Sequence, residues 1–269
     1  MRMLVLASMA LIGAATAASA APASLAAHRA VYDLSLKDAS ERSGISGMAG
    51  RMVYEFNGSP CDGYTVSFRF VTEIVTADSS RVTDQQTTTY EDIRNRKFDF
   101  STRSFVNQDL DREVRGSASG EASGLQVELA EPKQEKLELA GAHFPTEHMM
   151  ELIDKARSGE RFYESRIFDG SDDANELMIT TTVIGALEKT PEPGSDAEKA
   201  GELAGQGFWP VTISYFNDKK DADGLPVYTI SFKMYENGVT RDLTMDYGDF
   251  VLEGRLAELD MLKAEPCKE

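Results

Sequence analysis

Histidine, cysteine and basic side chains are scarce in this chain, and each scarcity closes off a class of chemistry. Its 269 residues hold three histidines, His28, His143 and His148. The helical zinc-protease spacing, two histidines four apart around a glutamate, does not occur. A helix would put His148 and Glu151 on one face with His143 just ahead of it, but a solvated histidine, or one in a helix's first turn, makes fewer demands, and no metal is expected. Two cysteines, Cys61 and Cys267, lie in no C-x-x-C motif, which weakens a redox role. Lys and Arg number 28 against 45 Asp and Glu, a formal charge of −17. Such a surface repels phosphate backbones and anionic leaflets, so nucleic acid is not an expected partner. The phosphate-cradling P-loop and the G-x-S-x-G nucleophile elbow are both missing. The sequence reads as a non-enzyme, with no catalytic residues and no cofactor.

Long apolar runs are also absent beyond the N-terminus, so no integral membrane protein is expected. Arg2 followed by the apolar Met3 to Ala18 and the small-residue site Ala18-Ser19-Ala20 describes a secretory signal peptide over residues 1–20. Its removal leaves 27 Lys and Arg against 45 acids, a formal charge of −18. Residues 21–269 are then expected to form one β-rich domain in the periplasm. Two cysteines in an exported chain more often pair than stay free. A bond would latch the last strand, and with it the sheet's end, to the first third of the fold; two unpaired thiols are the alternative.

What is present is alternation. From Arg51 to Ile74, Met52, Tyr54 and Phe56 lie on one face of a first arm, and Tyr64, Val66, Phe68 and Phe70 on one face of a second. This is a strand pattern. The turn-forming run Asn57 to Gly63 between the arms makes a β-hairpin with Cys61 in its loop. His28 to Leu36 is a preceding strand, and Ser43 to Gly47 is a turn. Arg81–Ile93, Lys97–Val106, Leu110–Ser119, Leu125–Ala130 and Lys133–Leu139 continue an antiparallel meander. Strands resume at Arg161–Phe168 and Glu176–Ile184, then at Val211 to Tyr215, Tyr228 to Met234, Val239 to Tyr247 and Phe250–Met261, with hairpin turns at Asp223-Gly224 and Asn237-Gly238.

Two segments break the meander. Residues 144–157 shift to helical spacing, with Met149, Leu152, Ile153 and Ala156 on one stripe. Thr146 serves as N-cap and Gly159 stands at C′, which predicts one short helix at about 146–157 covering an open face of the sheet. Lys189 to Gly207 is rich in charge and turn residues and reads as an exposed insertion. Asp169-Gly170-Ser171-Asp172-Asp173 resembles the first half of a calcium loop, but Thr180 occupies position 12, where a bidentate glutamate is required, and an acidic turn is expected. The fold class is all-β and mainly antiparallel: a long curled, broken, spiral-wound sheet or an open barrel with one short helix.

Several of these stretches are similar to one known family. His28-Arg29-Ala30-Val31-Tyr32-Asp33-Leu34, Gly50 to Phe56, Cys61-Asp62-Gly63-Tyr64, Phe144-Pro145-Thr146, Phe168 to Asp172, Phe208-Trp209-Pro210-Val211, Tyr235 to Val239 and Asp246 to Phe250 resemble the cell-envelope integrity protein EipB family of alphaproteobacteria. The resemblance implies a periplasmic, spiral-wound antiparallel sheet, a disulfide joining Cys61 and Cys267, a role in envelope integrity without assigned catalysis, and a tetratricopeptide-repeat periplasmic protein as partner. The leading expectation is a protein that supports the envelope by binding such a partner. The alternative is a carrier or sensor whose curved sheet holds a lipid or other apolar ligand.

Overall fold

The computed structural model describes residues 25–171, 174–218, 224–263 and 267; the signal-peptide segment lies outside them. Among the described residues fourteen strands form one sheet. Its first half comprises β1 (His28–Ala39), β2 (Ile45–Ser59), β3 (Gly63–Thr76), β4 (Ser80–Asp92), β5 (Lys97–Val106), β6 (Asp109–Glu121), β7 (Gly124–Glu131) and β8 (Glu135–Leu139). Helix α1 (Pro145–Ser158) follows, and then β9 (Phe162–Ile167), β10 (Met178–Ile184), β11 (Phe208–Asn217), β12 (Tyr228–Tyr235), β13 (Thr240–Asp246) and β14 (Phe250–Met261). All ladders are antiparallel, in the order β8-β7-β6-β5-β4-β3-β2-β1-β14-β13-β12-β11-β10-β9. The sheet is not closed into a barrel: β8 and β9 are its edges, and the segment carrying α1 connects them.

The order corrects one expectation. The last strand in sequence does not end the sheet: β14 lies at its middle, paired with β1 from His28 opposite Met261 to Ala39 opposite Phe250. The β1–β14 ladder is the seam between the two halves.

The central hairpin forms as its alternation predicts, with Ser59 opposite Gly63 and only residues 60–62 outside the ladder. Gly58 has φ 116°, and a Cβ there would lie 2.2 Å from the Gly63 carbonyl oxygen, so the tight end of the hairpin requires glycine. The β1–β2 turn falls earlier than expected, as a 3₁₀ turn at Glu41–Ser43 with Gly44 left-handed, and β2 begins at Ile45 inside the predicted turn.

Curling divides the core in two. In one part, Leu152, Ile153 and Ala156 of α1 pack among inward residues of β1–β3 and β11–β14. In the other, Phe98 and Phe100 of β5 meet Val114, Val127, Phe144 and Phe168. Phe98 stacks on Phe144 at 5.1 Å, and Phe168 meets Phe100 edge-on at 5.6 Å. Each such pair contributes about 0.5–1.5 kcal/mol beyond its buried area. Gly170, at φ 69°, lies so close that a Cβ would stand 2.5 Å from Phe100 Cγ. The chain leaving β9 is thus tucked into the curl of β5–β7, and the two ends of the sheet overlap as a spiral.

Two further expectations need correction. The N-cap of α1 is Phe144, not Thr146; Pro145 takes the first helical position, where its missing N–H is harmless. The Lys189–Gly207 insertion is not simply exposed. Its 3₁₀ segment Asp196–Leu203 buries Asp196, Ala197, Ala200 and Leu203. Asp196 accepts hydrogen bonds from the backbone N–H of Asp242 (3.1 Å) and of Leu256 (2.7 Å), which pins the segment to β13 and β14. The small buried residues are hidden in a composition dominated by charge.

Candidate functional site

The inward face of the curled sheet is apolar but incompletely filled. Met52, Tyr54 and Phe56 of β2, Val66 and Phe68 of β3, and Ile213, Tyr215, Tyr228 and Ile230 of β11 and β12 face a cavity of about 320 Å³, with Pro145, His148, Met149 and Leu152 of α1 on another side. Period-2 alternation puts the strand residues on one face, and curvature then keeps the walls from meeting. Phe68, Tyr215 and Ile230 are only half-buried, although a well-packed core would hide them. A second hollow of about 290 Å³ lies against Met48, Phe70, Ile74, Phe105, Tyr247 and Phe250. Aromatic contacts join the two: Phe68 stacks on Phe70 at 6.2 Å, Tyr215 on Tyr228 at 4.3 Å, and Tyr228 lies 6.0 Å from Tyr247. The result is an elongated apolar track, and its inner part alone reaches the size of small ligand cavities, which begin near ~300 Å³.

Polar groups in the inner cavity are few and almost all uncharged. No lysine or arginine lines it, and Asp169 is its one carboxylate among the described residues. The cavity brings together His28 and His148, far apart in sequence. Both are buried; His148 stands in the first turn of α1, one of the two places expected for it, but is not solvated there. Burial lowers the His28 pKa, and burial with the neighbouring His143 lowers that of His148 to about 4. Both rings are therefore neutral near pH 7. His28 Nδ1 lies 2.7 Å from the Ala26 carbonyl oxygen, so in the neutral ring Nδ1 carries the proton and Nε2 is an acceptor. Burial also raises the pKa of the Tyr54 and Tyr215 hydroxyls, leaving both protonated.

The third histidine belongs to the helix start. His143 Nδ1 is 3.6 Å from Glu147 and its Nε2 3.6 Å from Glu151, and the Glu147 contact raises its pKa. Ser165 Oγ donates to Glu151 at 3.0 Å, not to an imidazole. Among the described residues no group of three or more His, Cys, Asp or Glu could hold a metal ion. Asp169 accepts from the Ser171 N–H at 2.9 Å, while Asp172 and Asp173 lie outside the described residues.

Glu91, near the end of β4, anchors this helix start and was not singled out by its sequence. Its carboxylate accepts from the N–H of Thr146 at 2.7 Å and of Glu147 at 2.9 Å, taking the role expected of a local cap. It is 2 % exposed, and burial raises its pKa to about 7 despite those hydrogen bonds. Its signal was positional: Glu91 stands opposite inward-facing Tyr64, an acid on an apolar face.

Cys61 and Cys267 are joined by a disulfide with Cα atoms 5.4 Å apart. Cys61 sits in the β2–β3 turn and Cys267 beyond β14, so the bond spans β1 at the seam. No helix among the described residues is long and apolar enough to cross a membrane.

The family model described as EipB-like matches residues 19–263. The cell envelope integrity protein EipB of Brucella abortus (strain 2308) is 51% identical over 250 residues, covering 93% of this chain and 88% of that protein. The crystal structure of a β-barrel-like protein of domain of unknown function DUF1849, also from Brucella abortus, is similar with a TM-score of 0.86 and 50% identity, covering 90% of this chain and 100% of that one.

Proposed function

The chain belongs to the EipB-like family, and from that premise we propose that it supports cell-envelope integrity in the periplasm, as a non-enzyme, by holding a lipid or other apolar molecule inside its curled sheet. The observation that carries this is the apolar inner cavity lined by half-buried Phe68, Tyr215 and Ile230, with a second, more polar hollow beyond it. Water in such a space has few partners, and an acyl chain replacing it gains about 0.8 kcal/mol per methylene buried. Native mass spectrometry with solvent extraction of protein taken from the periplasm tests the reading. A stoichiometric apolar molecule is expected with the wild type and is lost on Val66→Trp, which fills the cavity. Protein that carries nothing and binds no apolar probe would refute it.

A second reading, a periplasmic protein partner of tetratricopeptide-repeat type, is supported by the outer face of the edge strands. Phe162 of β9 and Val183 of β10 stand directly opposite each other, at 58% and 51% exposure, where an apolar pair gains nothing unless covered. Cross-linking in native periplasm followed by capture tests it. The reading predicts a repeat protein that Phe162→Glu releases, and capture unaffected by that change would refute it.

A further inference from the structure

We propose that the inner cavity selects an amphiphile whose buried polar group is uncharged, such as the hydroxyl or ester of an acylglycerol, over a free fatty acid or any lipid that would bring an ionised head inside. This inference rests on the ligand-holding reading and adds the ligand class. The argument starts from what an ionised head would need. A carboxylate or phosphate removed from water requires a cation or a cluster of donors, and without them its burial is strongly unfavourable. Among the described residues the inner cavity offers no lysine or arginine, and Asp169 adds a charge that repels an anion. Among the described residues no lysine or arginine lines the second hollow either; its charged lining residues are Asp84 and Asp111, and the Arg69 guanidinium beside it is already paired with Asp84 at 2.9 Å.

A cationic head fares little better. Among the described residues Asp169 is its one carboxylate partner, and that carboxylate already accepts from the Ser171 N–H.

The groups that are present suit a neutral head. Tyr54 and Tyr215 line the cavity, and each hydroxyl can donate once and accept. His28, its Nδ1 committed to Ala26, presents Nε2 as an acceptor. Its ring centroid lies 5.7 Å from that of Tyr54, so the two polar side chains are neighbours in the cavity wall. One neutral hydroxyl can satisfy both at once, giving its own proton to His28 and accepting from Tyr54. A carboxylate can only accept, and would leave His28 Nε2 facing a lone pair.

The test uses the full-length exported protein and the apolar fluorophore N-phenyl-1-naphthylamine, displaced at pH 8 by a monoacylglycerol, by the fatty acid of the same chain length and by the matching lysophosphatidylglycerol. The monoacylglycerol is expected to displace the fluorophore at concentrations at least tenfold lower than either anion. Tyr54→Phe should weaken the monoacylglycerol roughly three- to tenfold, the usual worth of one hydrogen bond, and so narrow its advantage over the fatty acid. Its near-UV circular dichroism checks that the cavity keeps its packing. A fatty acid that competes as well as the monoacylglycerol overturns the ligand class while the cavity remains a lipid site. So does a Tyr54→Phe protein with unchanged selectivity. Failure of the fluorophore and all three lipids to bind overturns the ligand-holding reading itself, and this inference with it.

Discussion

Breaking the Cys61–Cys267 bond should weaken the protein through its unfolded state far more than through its native one. In the native sheet, β14, β1 and β2 remain hydrogen-bonded along their lengths without the cross-link, and neither cysteine belongs to a strand. In the unfolded chain the bond closes a loop between residues 206 apart. Chain-entropy arguments give about 5 kcal/mol for a loop of that length, and native disulfides typically return ~2–5 kcal/mol. For a chain of this size that corresponds to a fall in Tm of roughly 4–20 °C. Cys61→Ser and Cys267→Ser should fall equally, and the double variant no further, since the two sulfurs act as one unit. Urea melts add a sharper sign: the slope m should rise in all three variants, because an untethered denatured chain exposes more surface. Two titratable thiols in denatured, unreduced protein would refute the reasoning. So would single variants that melt with the wild type, or a large stability loss with m unchanged.

Glu91 should make stability fall as pH rises. Its folded pKa of about 7 exceeds the ordinary 4.5, so the folded state holds a proton that the unfolded state has released. Its contribution is full below pH 4.5 and lost as pH climbs through 7, by at most about 3 kcal/mol. The stability difference between wild type and Glu91→Gln, from urea midpoints, should shrink between pH 5 and 8; a constant difference would contradict the assignment. The buried histidines act oppositely, since His28 and His148 resist protonation and the unfolded state gains their protons as pH drops below 6.5. The two effects oppose each other between pH 4.5 and 6.5, and His148→Gln should reduce the loss of stability on the acid side; an acid-side loss as steep as before would refute that origin. Gly170→Ala should cost roughly 1–3 kcal/mol, since it combines a left-handed φ with a Cβ driven into Phe100; an unchanged melting temperature would show that the loop is not seated in the β5–β7 curl.

The strands whose sequences alternate most cleanly were the most legible. Lys97–Val106 and Phe250–Met261 have the ends their residues predict, because period-2 burial is a local property. Which strands become neighbours is not local. Nothing between Phe250 and Met261 says that its partner is β1, over two hundred residues away, and so the seam and the two edges were not legible. Thr146 was misjudged as a cap for the same reason: the acceptor of its N–H comes from Glu91, on a strand 55 residues earlier. The buried side of the Asp196–Leu203 segment was masked because Ala and Leu are interleaved with Lys and Glu at a spacing too short to read. The cavity residues Val66, Phe68, Tyr215 and Tyr228 were recognisable as inward-facing, but the pattern that predicts a filled core also predicts a hollow one. Only curvature separates them.

The connection between β8 and β9 gives the ring of strands an uneven stiffness. Everywhere else its circumference is held by backbone ladders, which cannot lengthen without surrendering hydrogen bonds in register. Across the β8–β9 gap the chain is closed by a helix, and β9 meets the segment ahead of it through a single parallel bridge, at His143 and Ile167. There α1 is held by packing and by side-chain hydrogen bonds, from the Thr146 and Glu147 N–H groups to Glu91 and from Ser165 to Glu151, and not by a ladder. The girth of the spiral is therefore set at one place along its wall by side chains and not by backbone ladders, and Pro145, His148, Met149 and Leu152 on that segment line the cavity. A change of one side chain there, unlike one within a ladder, would alter the cavity wall without breaking a backbone hydrogen bond of the sheet.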